Sequence, residues 1–144
     1  MPFLASQEQV KQVLHPLLPE HPDHQLSQQL LPRGCGAVFS FELVGGREAG
    51  RHFIDALQLF SHLANVGDAK SLVIHPASTT HSRMDNQALL DAGISPGLIR
   101  LSIGIENVDD LLADLKAGLR AAARVSKDSG ESAKAKTKTG GQGA

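Results

Sequence analysis

Apolar and polar positions alternate with two different periods along the chain. In Ala37–Leu43, the residues Ala37, Phe39, Phe41 and Leu43 alternate with Val38, Ser40 and Glu42, the pattern of a half-buried strand. Gly45 and Gly46 end it, and a helix is predicted from Arg47 to Phe60 with a buried stripe of Ala49, Phe53, Ala56, Leu57 and Phe60. Ser71–Ile74 reads as a short apolar strand stopped by His75-Pro76, because the residue before proline is pushed out of helical geometry. Gln87–Ala92 reads as a short helix ending at Gly93, and Leu98–Ile103 as another strand. After Asn107, a helix cap, Val108, Leu111, Leu112, Leu115 and Leu119 form one stripe. Asp109 and Asp110 lie in that helix's first turn, and Arg120 and Arg124 are expected near its end, both matching the helix dipole. Asp23–Leu31 is a further helix, capped by Asp23 between His21-Pro22 and Pro32. This order of elements predicts an α/β (α+β) domain, a small mainly antiparallel sheet with helices packed on one side.

The periodic pattern stops near residue 125, so the domain is expected to span 1–125. From Ser126 to Ala144 there is no Val, Ile, Leu, Met or Phe, and such a segment buries too little apolar surface to offset its ordering entropy. A disordered Lys/Ser/Gly tail is expected there. Its four lysines against Asp128 and Glu131 give it +2, leaving −3 for the rest of a chain whose net charge is −1. No overall basic field draws nucleic acid or a membrane. With five Phe and no Tyr or Trp, there is also no aromatic surface for stacking bases. The single Cys35 excludes an internal disulfide and suits a reducing compartment. No apolar run nears the roughly 20 residues of a membrane span, and the first residues lack a signal peptide's basic and apolar regions. A soluble, cytoplasmic protein is expected.

Candidate chemistry is sparse. His21-Pro22-Asp23-His24 offers two imidazoles at i, i+3, but nothing nearby supplies the third and fourth ligands of a zinc site, so a loop built by these histidines is expected. Cys35, between Gly34 and Gly36, has no evident partner to lower its thiol pKa and reads as a small buried residue. Neither glycine-rich phosphate-binding signature occurs. Arg100 is the odd residue. Its neighbours Ile99, Leu101 and Ile103 pack on one face, while Arg100 shares the other with Leu98 and Ser102. A guanidinium in such a strand needs an anionic partner, either an internal Asp or Glu or the carboxylate of a ligand. Pro76–Ser82 is rich in hydroxyl and imidazole donors and has no core pattern, as loops that line sites often are.

Two segments carry a family resemblance. The run from Leu63 to Ser82, containing Asn65-Val66-Gly67-Asp68-Ala69-Lys70 and His75-Pro76-Ala77-Ser78-Thr79-Thr80-His81, and the run from Gly93 to Glu106, containing Ser95-Pro96-Gly97-Leu98-Ile99-Arg100-Leu101, resemble the C-terminal domain of the pyridoxal phosphate (PLP) enzymes of Cys/Met metabolism. Within that group the similarity is greatest to the O-acetylhomoserine sulfhydrylases, and it covers about Phe3 to Ala122. The resemblance implies the C-terminal-domain fold of the fold-type I PLP enzymes. It also implies that Arg100 binds the substrate's α-carboxylate, that Thr80 lines the same site, and that Asn65 faces the substrate. In the complete family enzyme PLP acts as an electron sink, so that acetate leaves O-acetylhomoserine before sulfide adds, giving homocysteine for methionine biosynthesis. The family's N-terminal domain carries the Schiff-base lysine, the phosphate cup and a stacking aromatic. None of these is recognisable here; the only Thr-Lys pair is Thr137-Lys138. No catalytic or PLP-binding residue is therefore expected in this chain, which is expected to be inactive alone. Two roles follow. It is the C-terminal part of a split or truncated sulfhydrylase, working with an N-terminal PLP-binding half or a homologous full-length subunit in a homo-oligomer. Alternatively it is a catalytically dead stand-alone domain that binds a small carboxylate or a protein.

Overall fold

The computed structural model describes residues 1–138, with side-chain surroundings through Val125. Its elements are α1 (Pro2–Ala5), β1 (Val10–Leu14), α2 (His24–Leu30), β2 (Val38–Leu43), α3 (Gly46–Asp55), β3 (Ser61–His62), β4 (Leu72–Ile74), a 3-10 turn (Pro76–Ser78), α4 (Asn86–Asp91), β5 (Leu98–Ser102) and α5 (Val108–Lys138). The five strands form one sheet in the order β1-β2-β5-β4-β3. All pairs are antiparallel except β3 with β4.

One sheet face carries the core. Phe41, Leu43, Val73, Ile99 and Leu101 pack with Phe53 of α3 and Leu111, Leu115 and Leu119 of α5, all nearly inaccessible to water. Phe41 and Phe53 meet edge to face with centroids 5.5 Å apart. The two helices approach closely because Gly118 lacks a side chain: a Cβ there would lie 2.8 Å from Phe53 Cδ2 and Cε2. The mixed α/β architecture thus follows the expected plan, and Phe53 and Phe60 belong to the core.

Several boundaries differ from the pattern-based expectation. The helix predicted to reach Phe60 stops at Asp55. The cause lies on α5, where the Asp114 carboxylate accepts the backbone N–H groups of Gln58 and Leu59, both at 2.9 Å, and of Phe60 at 3.2 Å. These are donors that a continuing helix would have bonded to its own carbonyls. Asn107 caps α5 as expected, its Oδ1 accepting from Asp109 N at 2.8 Å. The α5 backbone, however, continues to Lys138, past the boundary predicted at Ser126, so Arg120 and Arg124 lie well inside the helix. Ala and Lys, frequent in that extension, are favourable helix residues, which accounts for the continuation locally. The remainder of the expected tail, 139–144, lies outside the described residues. At α2, Asp23 makes no side-chain cap bond. Instead the histidines shape this loop: His21 Nδ1 accepts from Asp23 N, and His24 Nδ1 donates to Pro16 O at 2.9 Å.

Candidate functional site

Three segments leave the sheet at one end. Because β3 and β4 are parallel, with Ser61 opposite Leu72, the residues following both strands emerge on the same side. β5 runs against β4, with Leu72 opposite Ser102 and Ile74 opposite Arg100, so β5 begins at that end too. The segment after β3 carries Asn65, the strap after β4 carries Thr80, and the Ser95–Gly97 turn leads into the strand of Arg100.

Arg100 lies on the sheet face opposite the core, between Ser40 of β2 and Ile74 of β4. Glu42 is on the same face, opposite Leu98 and one step along β2 from Ser40. It is only 8% exposed and accepts three hydrogen bonds, from Lys11 Nζ at 2.9 Å, Gln12 Nε2 at 2.9 Å and Ser95 Oγ at 2.6 Å. Burial pushes its pKa up, but Ser95, Lys11 and Gln12 outweigh that and hold the carboxyl below its usual range. Glu42 is thus satisfied without Arg100. Among the described residues the ion pairs are Lys11–Glu42 and Arg51–Glu48, and the side chain of the half-buried Arg100 has neither an ion pair nor a hydrogen bond.

The strap is pinned from two sides. From the start of α3, Arg47 donates through Nη1 to Ala77 O, through Nη2 to Met84 O, and through Nε to Asn86 Oδ1 at 3.3 Å. His75 is fully buried at the strap's root, with Nε2 2.8 Å from Pro96 O and Nδ1 2.9 Å from Ser78 Oγ. A carbonyl only accepts, so Nε2 carries the proton and Nδ1 accepts from the Ser78 hydroxyl. Burial lowers the His75 pKa, partly opposed by the Pro96 carbonyl and reinforced by Arg47 and His62, which favours this neutral form. Thr79 Oγ1 donates to His75 O at 2.8 Å. The pattern of the sequence singled out neither Arg47 nor His75. The available signal was Gly50 inside a helix pattern, since glycine there often marks a close approach. A Cβ on Gly50 would overlap the His75 ring at Nε2.

Arg100 lies in β5 beside β4, and the Pro76–Ser78 turn that precedes Thr80 packs on β5. Asn65 reaches the same end of the sheet from β3. Among the described residues no hydrogen bond joins the three. Thr80 and Asn65 are exposed; Thr80 Oγ1 lies 2.8 Å from His81 Nδ1, and Asn65 Oδ1 accepts from Val66 N at 2.8 Å.

Residues 1–120 match the model of the Cys/Met metabolism PLP-dependent enzymes. The chain belongs to this family. It is 50% identical over 117 residues to O-acetyl-L-homoserine sulfhydrylase 1 of Thermus thermophilus, a match covering 81% of this chain and 28% of that protein. It is 48% identical over 121 residues to the L-methionine gamma-lyase of Pseudomonas putida, covering 84% and 30% respectively. Among solved structures, cystathionine gamma synthase from Xanthomonas oryzae pv. oryzae, in complex with aminoacrylate and cysteine, superposes with a TM-score of 0.76 at 47% identity, covering 86% of this chain and 32% of that one. The chain therefore spans less than a third of the length of these family members.

The family is PLP-dependent, and a lysine poised to hold PLP as a Schiff base is desolvated or set beside another cation. The three lysines whose surroundings are described do not fit that role. Lys11 is 63% exposed and paired with Glu42, Lys70 is exposed, and Lys116 is exposed with Nζ 5.6 Å from the centroid of the Phe3 ring. Among the described residues no three His, Cys, Asp or Glu side chains gather as a metal site, and Cys35 is a half-buried free thiol. Nor is any helix of the described residues long and apolar enough to cross a membrane.

Proposed function

We propose that this chain is the substrate-carboxylate-binding C-terminal part of an O-acetylhomoserine sulfhydrylase-like enzyme, with Arg100 as the carboxylate clamp and Thr80 and Asn65 lining the site. The observation that carries the reading is Arg100 itself. It is a half-buried cation on a sheet face whose carboxylate, Glu42, is already engaged by Lys11, Gln12 and Ser95 and makes no bond to it. Removing a guanidinium from bulk water is unfavourable unless an anion compensates. A planar fork of N–H donors suits a carboxylate bound by two parallel hydrogen bonds. PLP, when bound in the complete enzyme, supplies the electron sink. In this reading its lysine and phosphate site come from a separate N-terminal half or a homologous full-length subunit. The part played by this chain is to fix the amino acid's carboxylate, and so the orientation of its amine and Cα.

The test is a chimera in which residues 1–120 replace the matching segment of the Thermus thermophilus sulfhydrylase. It should form homocysteine from O-acetylhomoserine and sulfide. Arg100→Ala in that chimera should raise KM for O-acetylhomoserine about 10- to 100-fold, the worth of a charge-assisted hydrogen bond of about 1.5–3 kcal/mol. An unchanged KM overturns the assignment of Arg100. A folded, PLP-loaded chimera with no activity favours the second reading, a carboxylate- or protein-binding domain without chemistry.

A further inference from the structure

Arg100 and Thr80 sit on different segments, and an arginine clamp is only as good as the registration between them. Besides the β4–β5 pairing and the packing of the Pro76–Ser78 turn on β5, one buried side chain bonds to both segments. His75 follows β4 and begins the strap, and its Nδ1 accepts from Ser78, two residues before Thr80. Its Nε2–H holds Pro96 O, in the turn that launches β5 and therefore Arg100. That turn is also fixed from its other side, because Ser95 Oγ donates to Glu42 at 2.6 Å, and Ser95 Oγ accepts from Gly97 N at 3.3 Å. Helix α3 presses on the same ring with the bare Gly50, while Arg47, one turn earlier, grips the strap at Ala77 and Met84. His75 has no exposure and no route to a substrate, so it is not itself a ligand.

We infer that His75 is a positioning residue for the carboxylate site, joining the strap that carries Thr80 to the turn that sets Arg100. This rests on the reading of Arg100 given above. The ring does what an apolar side chain of similar size cannot, since it donates at one nitrogen and accepts at the other along one axis. Glutamine retains both capacities, with an amide N–H for Pro96 O and an amide oxygen for the Ser78 hydroxyl. Leucine fills the space and makes neither bond.

The experiment uses the full 144-residue chain, isotope-labelled and titrated with L-homoserine, reading the Arg100 Nε–H signal and the Thr79 and Thr80 amides by NMR. The wild-type chain should show a saturable shift at all three, abolished at Arg100→Ala. His75→Leu should raise Kd at least tenfold, and His75→Gln should recover most of that loss, which a role in packing alone would not produce. Ser78→Ala cuts only the strap side of the link and should raise Kd severalfold while the thermal melt stays cooperative, so the inference is testable even where His75→Leu fails to fold. If the wild-type chain shows no saturable shift, or Arg100→Ala leaves the shift intact, the carboxylate reading falls and this inference with it. If wild type binds through Arg100 but Ser78→Ala and a folded His75→Leu bind equally well, or Gln rescues nothing, only the positioning role falls.

Discussion

Gly50→Ala sets two known effects against each other. At a helix position facing water, replacing Gly by Ala gains about 1 kcal/mol of stability, because alanine loses less backbone entropy on folding. In α3 the new Cβ would lie 2.7 Å from both Cδ2 and Cε1 of His75 and would overlap Nε2. The ring has nowhere to go, being fully buried and bonded at both nitrogens. If it turns, Pro96 O and the Nε2–H lose each other in a dry environment, at about 1–3 kcal/mol. If α3 moves instead, it lifts Ala49 and Phe53, both at 0% exposure, out of register with the sheet; overpacking of this kind costs about 1–3 kcal/mol. With both responses sharing the strain and the propensity gain credited, Gly50→Ala should destabilise by about 1–5 kcal/mol. Urea denaturation reads this as a lower midpoint at unchanged slope. The decisive comparison is the same substitution in a His75→Ala background, where the ring is gone. There Gly50→Ala should be neutral or stabilising. A Gly50→Ala chain as stable as wild type, or one equally damaged with and without the ring, would refute the packing argument.

Asp114→Ala should destabilise by about 2–4 kcal/mol in the same assay, since the Leu59 and Phe60 N–H groups lose a charged acceptor while water reaches Gln58; a loss under about 0.5 kcal/mol would contradict this. The pH dependence has a definite sign. The folded His75 pKa lies below its ordinary value of 6.5, so on acidification the unfolded chain takes the proton first, and stability is full above about pH 6.5 and falls as pH drops toward the folded value. Glu42 is also depressed when folded, so its contribution is present above the ordinary carboxylate range and is lost at lower pH. Thermal midpoints should therefore decline in two stages below neutrality, with His75→Gln flattening the first. A wild-type midpoint that is level between pH 7.5 and 5.5 would count against the buried neutral histidine.

The strands and helices with a clean period were legible in the sequence: β2, β4, β5, α4 and the start of α5 follow the alternation or stripe within a residue or two. What escaped has particular causes. The end of α3 is decided by Asp114, more than fifty positions away in the chain, which local periodicity does not register. β1 hid because its apolar residues are three apart. Val10 pairs with Leu43 and Val13 with Phe41, both toward the core, because a bulge between Val10 and Gln12 absorbs the extra residue. Of the candidate site, Arg100 stood out as a charge inside an apolar strand and Thr80 lay in a loop marked by its donors, while the role of Thr80 and the choice of Asn65 came through family resemblance. His75 and Arg47 were hard to read as supports because each acts largely on backbone carbonyls, which carry no sequence signal, and the one hint was Gly50 inside a helix pattern.

That same bulge bears on the central question of what Arg100 is for. In a regular strand consecutive side chains point to opposite faces, so only one of Lys11 and Gln12 would reach Glu42. With Lys11 as the extra residue opposite the Leu43–Glu42 step, both turn to the same carboxylate, one to each oxygen. Ser95 adds a third donor from the turn. Glu42, on Arg100's own sheet face, is thereby engaged from the edge of the sheet and the β5 turn, two places that contain no part of Arg100's strand. Glu42 and Arg100 are separated by one register step on β2 and β5, and Arg100 takes no part in the bonds that Glu42 accepts. An irregularity in an edge strand thus lets Lys11 and Gln12 together engage Glu42, and β1, the strand least visible in the sequence, accounts for how that acid is met without Arg100.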